Sequence, residues 1–250
     1  MGTGFVFQIE DKASDSHLQK LCEGAMEVLE DANQRFSLYI QDSEISRLVR
    51  SELSWEKASF QQREIRELVE NWKARTDGFF DSRVGTEAYD PSGLVKSWAA
   101  QNAADFLLAN GVRGFSINAG GDILLSPELS SQLLNRVGLS NLRSVADASA
   151  GSNLILDLAG TNFRAVATSG ISERGEHIWR TDSSGDLIQV SVVGQDLVES
   201  DIWATAIISG GMDAWKAFER EPEDRMRAIA TTRQGAMFTS AGFTQLLARL

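Results

Sequence analysis

The sequence predicts an α+β fold, built as a single composite domain of mixed sheets with packed helices. Helical patterns and short apolar strands share the first half of the chain, whereas strands separated by turn residues dominate after about residue 133. Neither half shows the regular βαβ order that is typical of a parallel sheet. The 250 residues, 42% of them hydrophobic, can bury one large core, and no Pro-rich linker divides the chain. We therefore expect one domain over residues 1–250.

The first strand and the next three helices are predicted from the period of the apolar residues. The stretch TGFVFQI is typical of a strand. The helix that follows it has four apolar residues at helical spacing: Leu18, Leu21, Ala25 and Leu29. Asp42 is the expected N-cap of a short helix, SEISRLVR. Ser59 is the expected N-cap of a longer helix, whose apolar side carries Phe60, Leu68 and Trp72.

The middle of the chain predicts a strand, a long helix and a hairpin. A turn at residues 76–78 precedes FFDSRVG, which we expect to be a short strand. The next helix is expected from about Val95 to Leu108, and Asn110 with Gly111 ends it as a left-handed C-cap would. The strand RGFSIN and the turn AGGD then lead into ILLS.

The second half predicts mainly strands. Four are expected at NRVGLS, SNLILDL, FRAVATSG and DLIQVSVV, and two closing strands at RAIATT and AMFTS. Two helices are expected at about residues 200–209 and 212–219, and the tail TQLLARL is expected to be helical.

Charge and composition exclude several classes of function. The net charge of −11 disfavours non-specific nucleic-acid binding. Cys22 is the only cysteine, and the chain has two histidines, so a disulfide framework, a cysteine zinc site and a multi-histidine metal site are excluded. No apolar run approaches the ~18 residues that a membrane-spanning helix needs. Because no signal peptide precedes the first strand, we expect a cytoplasmic protein.

Two short segments carry oxygen and nitrogen groups that could bind a charged ligand. On a helix, Asp201 and Thr205 lie at positions i and i+4, so their oxygens can share a hard cation such as Mg²⁺. Equally, Asp201 could favour a helix N-terminus and Thr205 could bond to its own backbone. In DPSGLVK, Gly93 permits a close backbone approach, and Lys96 stands near a helix N-terminus, where an anion would bind. The alternative is a capped loop followed by a solvated lysine.

Three further features are weaker signals. NAGGDI could form an anion-binding nest or an ordinary hairpin turn. His177 could act as a general acid or base, or could serve only the structure. Tyr39 could stack on an aromatic ligand, or could be an ordinary strand aromatic.

The order of these features resembles that of the ApbE family, the FAD:protein FMN transferases. Seven segments match the family's landmarks in register, across nearly all of the chain: MGT, FSLYIQDSEISRL, GFFDSRVG, DPSGLVKSWAAQNAADFLLANGV, INAGGDI, VATSGISERG and SDIWATAIISGG.

The resemblance implies an ApbE-like, T-fold-like domain that binds FAD across one cleft. The implied contacts to the flavin nucleotide are Met1, Tyr39, Phe79, Phe80, Asp81, Asp90, Lys96 and His177. The implied metal site for Mg²⁺ consists of Gly93, through its carbonyl, with Asp201 and Thr205. His177 and Asp201 are the implied catalytic residues.

The implied activity is a Mg²⁺-dependent transfer of FMN from FAD onto a threonine of an acceptor protein, with release of AMP. Two alternatives stay open: an FAD pyrophosphatase that uses water, and a flavin-binding protein without transfer. Three departures from the family pattern stand out. Arg180 occupies the position of a usual aspartate after His177, Ser97 replaces a usual glycine, and the chain lacks the lipobox cysteine of exported members.

Overall fold

Helices and strands follow one another irregularly along the chain, as the sequence predicts. The computed structural model describes residues 3–12, 14–84, 88–139, 154–170 and 186–248. These described segments contain five α-helices: α1 (Asp15–Phe36), α2 (Glu44–Val49), α3 (Phe60–Arg75), α4 (Ser92–Ala109) and α5 (Leu197–Phe218). Short 3-10 helices span Trp55–Lys57 and Phe243–Leu246. No helix of the described segments is long and apolar enough to cross a membrane.

Most of the strands join one antiparallel sheet. The described segments contain eleven strands: β1 (Phe5–Ile9), β2 (Arg83–Val84), β3 (Ala88–Tyr89), β4 (Phe115–Ala119), β5 (Asp122–Leu125), β6 (Arg136–Leu139), β7 (Leu154–Asp157), β8 (Ala165–Gly170), β9 (Leu187–Gly194), β10 (Met226–Thr232) and β11 (Met237–Thr239). Seven of them form the main sheet, in the order β1-β4-β5-β8-β9-β10-β11. The remaining four form two separate pairs, β2–β3 and β6–β7.

The main sheet is covered on both faces, which explains why every residue of β9 is buried. Val190 and Val192 of β9 belong to a large apolar cluster with α1, α3, α4 and α5 on one face. Val193 belongs to a smaller cluster on the other face, formed with the β6–β7 pair and the 3-10 helix near the C-terminus. The α+β prediction is confirmed, since two apolar layers share one antiparallel sheet.

The predicted C-cap of α4 and turn after β4 are confirmed in detail. Gly111 follows the C-cap Asn110 with a φ of +87°, the left-handed conformation that glycine adopts without strain. In the β4–β5 hairpin, Ala119 pairs with Asp122 across Gly120 and Gly121, whose φ values are +62° and +103°. A two-residue turn with both φ values positive suits the twist of a hairpin. NAGGDI is therefore a hairpin turn, and it places Asp122 at the start of β5.

Two predictions about the first helices are corrected. Ser43, and not Asp42, is the N-cap of α2, because its hydroxyl accepts the Ser46 N–H at 3.1 Å. Ser59 caps α3 as predicted, accepting the Gln62 N–H at 3.2 Å. Phe60 is 68% exposed, however, because the buried side of α3 runs through three other residues: Gln62, Ile65 and Val69.

Two further boundaries differ from the prediction, and a third is confirmed. In FFDSRVG only Arg83–Val84 is strand, since the Thr76 hydroxyl accepts the Phe80 N–H at 3.1 Å in a turn after α3. The two helices predicted near residue 210 are confirmed, because α5 consists of two helical segments that meet at a kink at Gly211, where the backbone is not helical. The predicted C-terminal helix is one 3-10 turn, because Leu247 forms a β-bridge to Leu156 instead of continuing the helix.

Candidate functional site

A cluster of three charged side chains lies where α4, β5 and α5 meet. Lys96 of α4 forms ion pairs with two carboxylates, Asp122 of β5 and Asp201 of α5. Its ammonium is in hydrogen-bond contact with Asp122 Oδ2 and lies 3.6 Å from Asp201 Oδ2. The sequence-predicted residues Lys96 and Asp201, more than a hundred positions apart in the chain, therefore meet in one place.

Asp201 has the most perturbed environment in this cluster. It is buried, and its Oδ2 atom has no hydrogen-bond partner among the described residues. Burial raises the pKa of Asp201 from 3.8 to about 7, and the charge of Asp122 also raises it. The ammonium of Lys96 and a hydrogen bond from Ser97 lower the pKa, but they do not offset the burial. When both carboxylates are ionised, one ammonium faces two of them, and the cluster carries an excess of negative charge.

Thr205 lies one helical turn after Asp201, and its hydroxyl contacts strand β8. Its Oγ1 is 3.1 Å from Ser169 Oγ on β8. The neighbouring Thr168 hydroxyl is 2.8 Å from Ser191 Oγ on β9, and the Thr168 N–H donates to Asp122 Oδ1 at 2.9 Å. Strand β8 thus links the acidic residue of β5 to the hydroxyl that follows Asp201 on α5.

Gly93 and Asp90 lie at the start of α4. Asp90 accepts the Ser92 N–H at 2.9 Å, so its carboxylate caps the first turn of the helix. Gly93 is exposed, and a Cβ atom at this position would lie 3.4 Å from the Phe80 ring. Helix α4 thus presents Gly93 and Lys96 within one turn of each other, and Lys96 contacts Asp201.

The segment after α3 lies beside both helices of the site. Phe80 is buried next to Gly93. Phe79 packs against α5 so closely that a Cβ atom on Gly210 would lie 2.2 Å from its ring. Asp81 instead contacts residues that are close to it in sequence: its carboxylate is 2.6 Å from Lys73 Nζ and accepts the Arg83 N–H.

The three remaining residues predicted to contact the nucleotide are Tyr39, Met1 and His177. Tyr39 is 94% exposed on the loop between α1 and α2, where its ring is available to a ligand. Met1 and His177 lie outside the described residues. Their predicted roles stay predictions.

The donors implied for Mg²⁺ have the chemistry that this ion prefers. Asp201, Thr205 and Gly93 supply a carboxylate, a hydroxyl and a backbone carbonyl, and hard cations take oxygen ligands. The unpartnered Asp201 Oδ2 is the buried acceptor that such an ion would satisfy. Within the described segments no group of three or more His, Cys, Asp and Glu side chains could hold a metal ion. An ion at this place would therefore depend on a single carboxylate from Asp201 together with neutral oxygens.

The sequence alone indicates no role for Asp122, although it is part of the cluster and only 1% exposed. Of the two interpretations of INAGGDI, the hairpin turn is correct for the two glycines. A signal is nevertheless present in the sequence, because an aspartate that directly follows a hairpin turn starts a strand of the sheet. A carboxylate placed there is buried, and a buried carboxylate needs a partner.

Solved structures of several bacterial proteins have the same fold. The flavin transferase ApbE from Vibrio cholerae is 18% identical, with a TM-score of 0.74 over 99% of this chain and 96% of that one. The flavinyl transferase ApbE from Pseudomonas stutzeri is 17% identical, with a TM-score of 0.75 over 99% of this chain and 98% of that one. The ApbE protein from Thermotoga maritima is 16% identical, with a TM-score of 0.74 over 99% of this chain and 97% of that one.

The sequence itself agrees with these structural likenesses. No curated protein matches the chain in sequence. The model of the ApbE family, however, matches residues 87–230, which include α4, the β4–β5 hairpin, β8, β9 and α5. More than half of the chain, with all three charged residues of the cluster, lies within this match. The resemblance inferred from the seven motifs is confirmed: the chain belongs to the ApbE family.

Proposed function

We propose that this protein is an FAD:protein FMN transferase. It moves FMN from FAD onto a threonine hydroxyl of an acceptor flavoprotein, depends on Mg²⁺ and releases AMP. Membership of the ApbE family and the likeness to the flavin transferases from Vibrio cholerae and Pseudomonas stutzeri support flavin transfer. The observation that carries the proposal is the buried Asp201 oxygen without a hydrogen-bond partner among the described residues, 3.6 Å from the ammonium of Lys96.

The charges of the cluster suit a diphosphate bound together with a cation. Lys96, Asp122 and Asp201 together carry one excess negative charge when all three are ionised. A divalent cation reverses the sign of this excess, so the site then attracts the negative diphosphate of FAD. Asp201 and Thr205 would hold the ion, with the Gly93 carbonyl as the third donor. When bound, Mg²⁺ supplies polarisation of the phosphoryl group and stabilisation of the charge on the departing AMP.

The chain's own groups then have separate roles in the transfer. Lys96 directs its charge at the diphosphate, and positioning of this kind accounts for most of the catalysis in phosphoryl transfer. The threonine oxygen of the acceptor forms a bond to the phosphorus of the FMN half, while the bond from that phosphorus to the AMP oxygen breaks. The threonine proton passes to a base, for which His177 is the candidate from the sequence. Phe79, Phe80 and the exposed Tyr39 are the aromatic residues that the resemblance to the family assigns to the flavin nucleotide.

An AMP-release assay tests the proposal. The protein is incubated with FAD, Mg²⁺ and a threonine-containing acceptor domain, and AMP and the mass of the acceptor are measured. We expect one AMP released for each FMN added to the acceptor. Release of AMP without an adduct would identify a pyrophosphatase. FAD binding without AMP release would identify a flavin-binding protein.

A pair of variants on α5 links the assay to the cluster. Asp201→Asn keeps the shape of the side chain but removes its charge, so we expect AMP release to fall roughly 100-fold or more, because the ion loses its one charged donor. Asp213→Asn is the matched control, because Asp213 is an exposed residue of the same helix that pairs with Lys216. Full activity of Asp201→Asn would remove Asp201 from the site.

The cytoplasmic location stays a prediction from the sequence, which cell fractionation can test.

A further inference from the structure

Asp122 uses both of its carboxylate oxygens inside the charged cluster. One oxygen, Oδ1, accepts the Thr168 N–H at 2.9 Å. The other, Oδ2, forms a hydrogen-bonded ion pair with Lys96. The side chain starts β5 directly after the Gly120–Gly121 turn, so the hairpin fixes its backbone while β8 fixes its carboxylate. Asp122 is therefore held in a single orientation by two neighbouring strands.

Lys96 is the flexible member of this pair. A lysine carries its charge at the end of a four-carbon chain and loses much rotamer freedom when it is held in one place. Its side chain is only 20% exposed, and its ammonium is 3.6 Å from Asp201, farther than a hydrogen bond. The contact with Asp122 is closer, so Asp122 is the partner that determines the position of the ammonium.

We propose that Asp122 is a positioning residue that holds the Lys96 ammonium beside Asp201, where it faces the diphosphate of the bound nucleotide. The last part of this proposal rests on the proposed function, whereas the hold of Asp122 on Lys96 does not. A purely structural aspartate would stabilise the hairpin and affect catalysis only through folding. A positioning aspartate acts through Lys96, and so its effect disappears when Lys96 is absent.

The hold on Lys96 is tested without FAD, by chemical labelling of lysines. Wild-type protein and Asp122→Asn are treated with acetic anhydride, and the labelling rates of Lys96 and Lys216 are read by peptide mass spectrometry. Lys216 is the internal control, since its side chain is 70% exposed on α5. We expect the ratio of Lys96 to Lys216 labelling to rise severalfold in Asp122→Asn. An unchanged ratio in a folded variant would overturn the proposal.

A double-mutant cycle tests whether the effect of Asp122 passes through Lys96. The kcat and KM for FAD are measured for Asp122→Asn, Lys96→Met and the variant with both changes. We expect Asp122→Asn alone to lower kcat/KM by about 10–100-fold, as loss of a supporting residue does. In the Lys96→Met background the same change should have almost no further effect. Effects of the two changes that multiply would overturn the proposal.

The same set of variants also shows whether Asp122→Asn is folded. If Asp122→Asn unfolds because the neutral amide no longer balances the ammonium, the variant that also carries Lys96→Met should regain a native melting transition, because it contains no charge at residue 96. Failure of that rescue would show that Asp122 supports the fold independently and would also overturn the proposal. Absence of AMP release in the wild type would contradict the proposed function alone, since the labelling ratio does not depend on catalysis.

Discussion

At the residue scale, the properties of the site follow from the small number of charged partners around the buried Asp201 carboxylate. Asp201 lies in the interior near one ammonium, that of Lys96, which is also paired with a second carboxylate, that of Asp122. Its raised pKa records that its charged form is poorly satisfied in the absence of a ligand. Such a group is a poor contributor to stability, and it is the group at which we propose that a cation binds.

This reasoning predicts how stability changes with pH. The pKa of Asp201 is raised from 3.8 to about 7 in the folded protein. Between about pH 4 and pH 7 the folded state thus keeps a proton that the unfolded state has released, and this group makes the free energy of unfolding decrease as pH rises. The contribution is at most about 1.4 kcal/mol per pH unit. Urea unfolding in the presence of EDTA measures it.

Asp201→Asn should remove this component, so its free energy of unfolding should fall less with pH than that of the wild type over the same window. Asp213→Asn, a change at an exposed position of the same helix, should keep the wild-type slope. Equal slopes for wild type and Asp201→Asn would contradict the raised pKa.

The residue scale is also where prediction from the sequence is most uneven. Asp201 and Thr205 can be selected because a carboxylate and a hydroxyl at helical spacing share a face, and Lys96 can be selected because it stands near a helix N-terminus. Asp122 is not selected by helical spacing, because its partners lie on α4 and β8; the local signal is only its place directly after a hairpin turn, which does not name those partners. Asp90 is expected at the nucleotide, and its carboxylate also caps α4, a role that the spacing to Ser92 already permits.

At the scale of elements, α5 has an unusual helix break. Gly211 has φ of 60° and ψ of −138°, a conformation that residues with a side chain rarely adopt. The preceding Gly210 gives space to the Phe79 ring. Two glycines mark this place in the sequence and suggest two helices. The structure confirms two helical segments, because α5 is kinked at Gly211.

The break at Gly211 predicts that even a methyl side chain at this position destabilises the folded protein. Gly211→Ala should lower the free energy of unfolding by about 1–3 kcal/mol, because alanine is strained at this φ. Gly138→Ala is the control, since Gly138 lies in β6, has no positive φ, and a Cβ atom added to it would have no neighbour within 4 Å. Chemical unfolding of both variants measures the difference. Equal stabilities would show that residue 211 tolerates an ordinary backbone conformation.

An ion-pair network around the buried Glu199 joins α3, the N-terminal end of α5 and the segment between α5 and β10. Glu199 accepts from Arg75 of α3 at 2.5 Å and from Arg225, just before β10, at 2.5 and 2.8 Å. Arg75 also forms two hydrogen bonds to Glu221, at 2.9 and 2.6 Å. The contacts of Arg75 span more than a hundred residues of sequence, so no local pattern could predict them.

The network predicts a further stability change. Glu199→Gln leaves two arginines facing a neutral amide in a buried position, and we expect a loss of about 2–3 kcal/mol. Glu52→Gln is the matched control, because Glu52 pairs with Arg50 on the surface and should contribute little. Thermal and urea unfolding compare the two variants. A cost for Glu199→Gln no larger than that of the control would show that the arginines find other partners.

At the scale of the whole molecule, the sheet sets the distance between the site residues. Strands β5, β8 and β9 are neighbours, and α4 and α5 lie on the same face of the sheet. The class of fold is predictable because apolar periods distinguish helices from strands. The order of strands in the sheet is not, because it depends on contacts between segments far apart in the chain.

The resemblance to the ApbE family indicates which distant segments of the chain lie together, which the period of the apolar residues cannot do. Seven short motifs in register predict which distant segments meet, and the contact between Lys96 and Asp201 bears out that the two central segments lie together. The loop that carries His177 lies outside the described residues, so the departure at Arg180 stays open to experiment.

The most direct measurement is a crystal structure of the protein soaked with FAD and Mn²⁺, which replaces Mg²⁺ and gives an anomalous signal. We predict an anomalous peak bonded to the Asp201 carboxylate and the Thr205 hydroxyl, with the FAD diphosphate on its other side and the Lys96 ammonium in contact with a phosphate oxygen. FAD bound away from the cluster, or a diphosphate bound there with no peak at Asp201, would contradict the account.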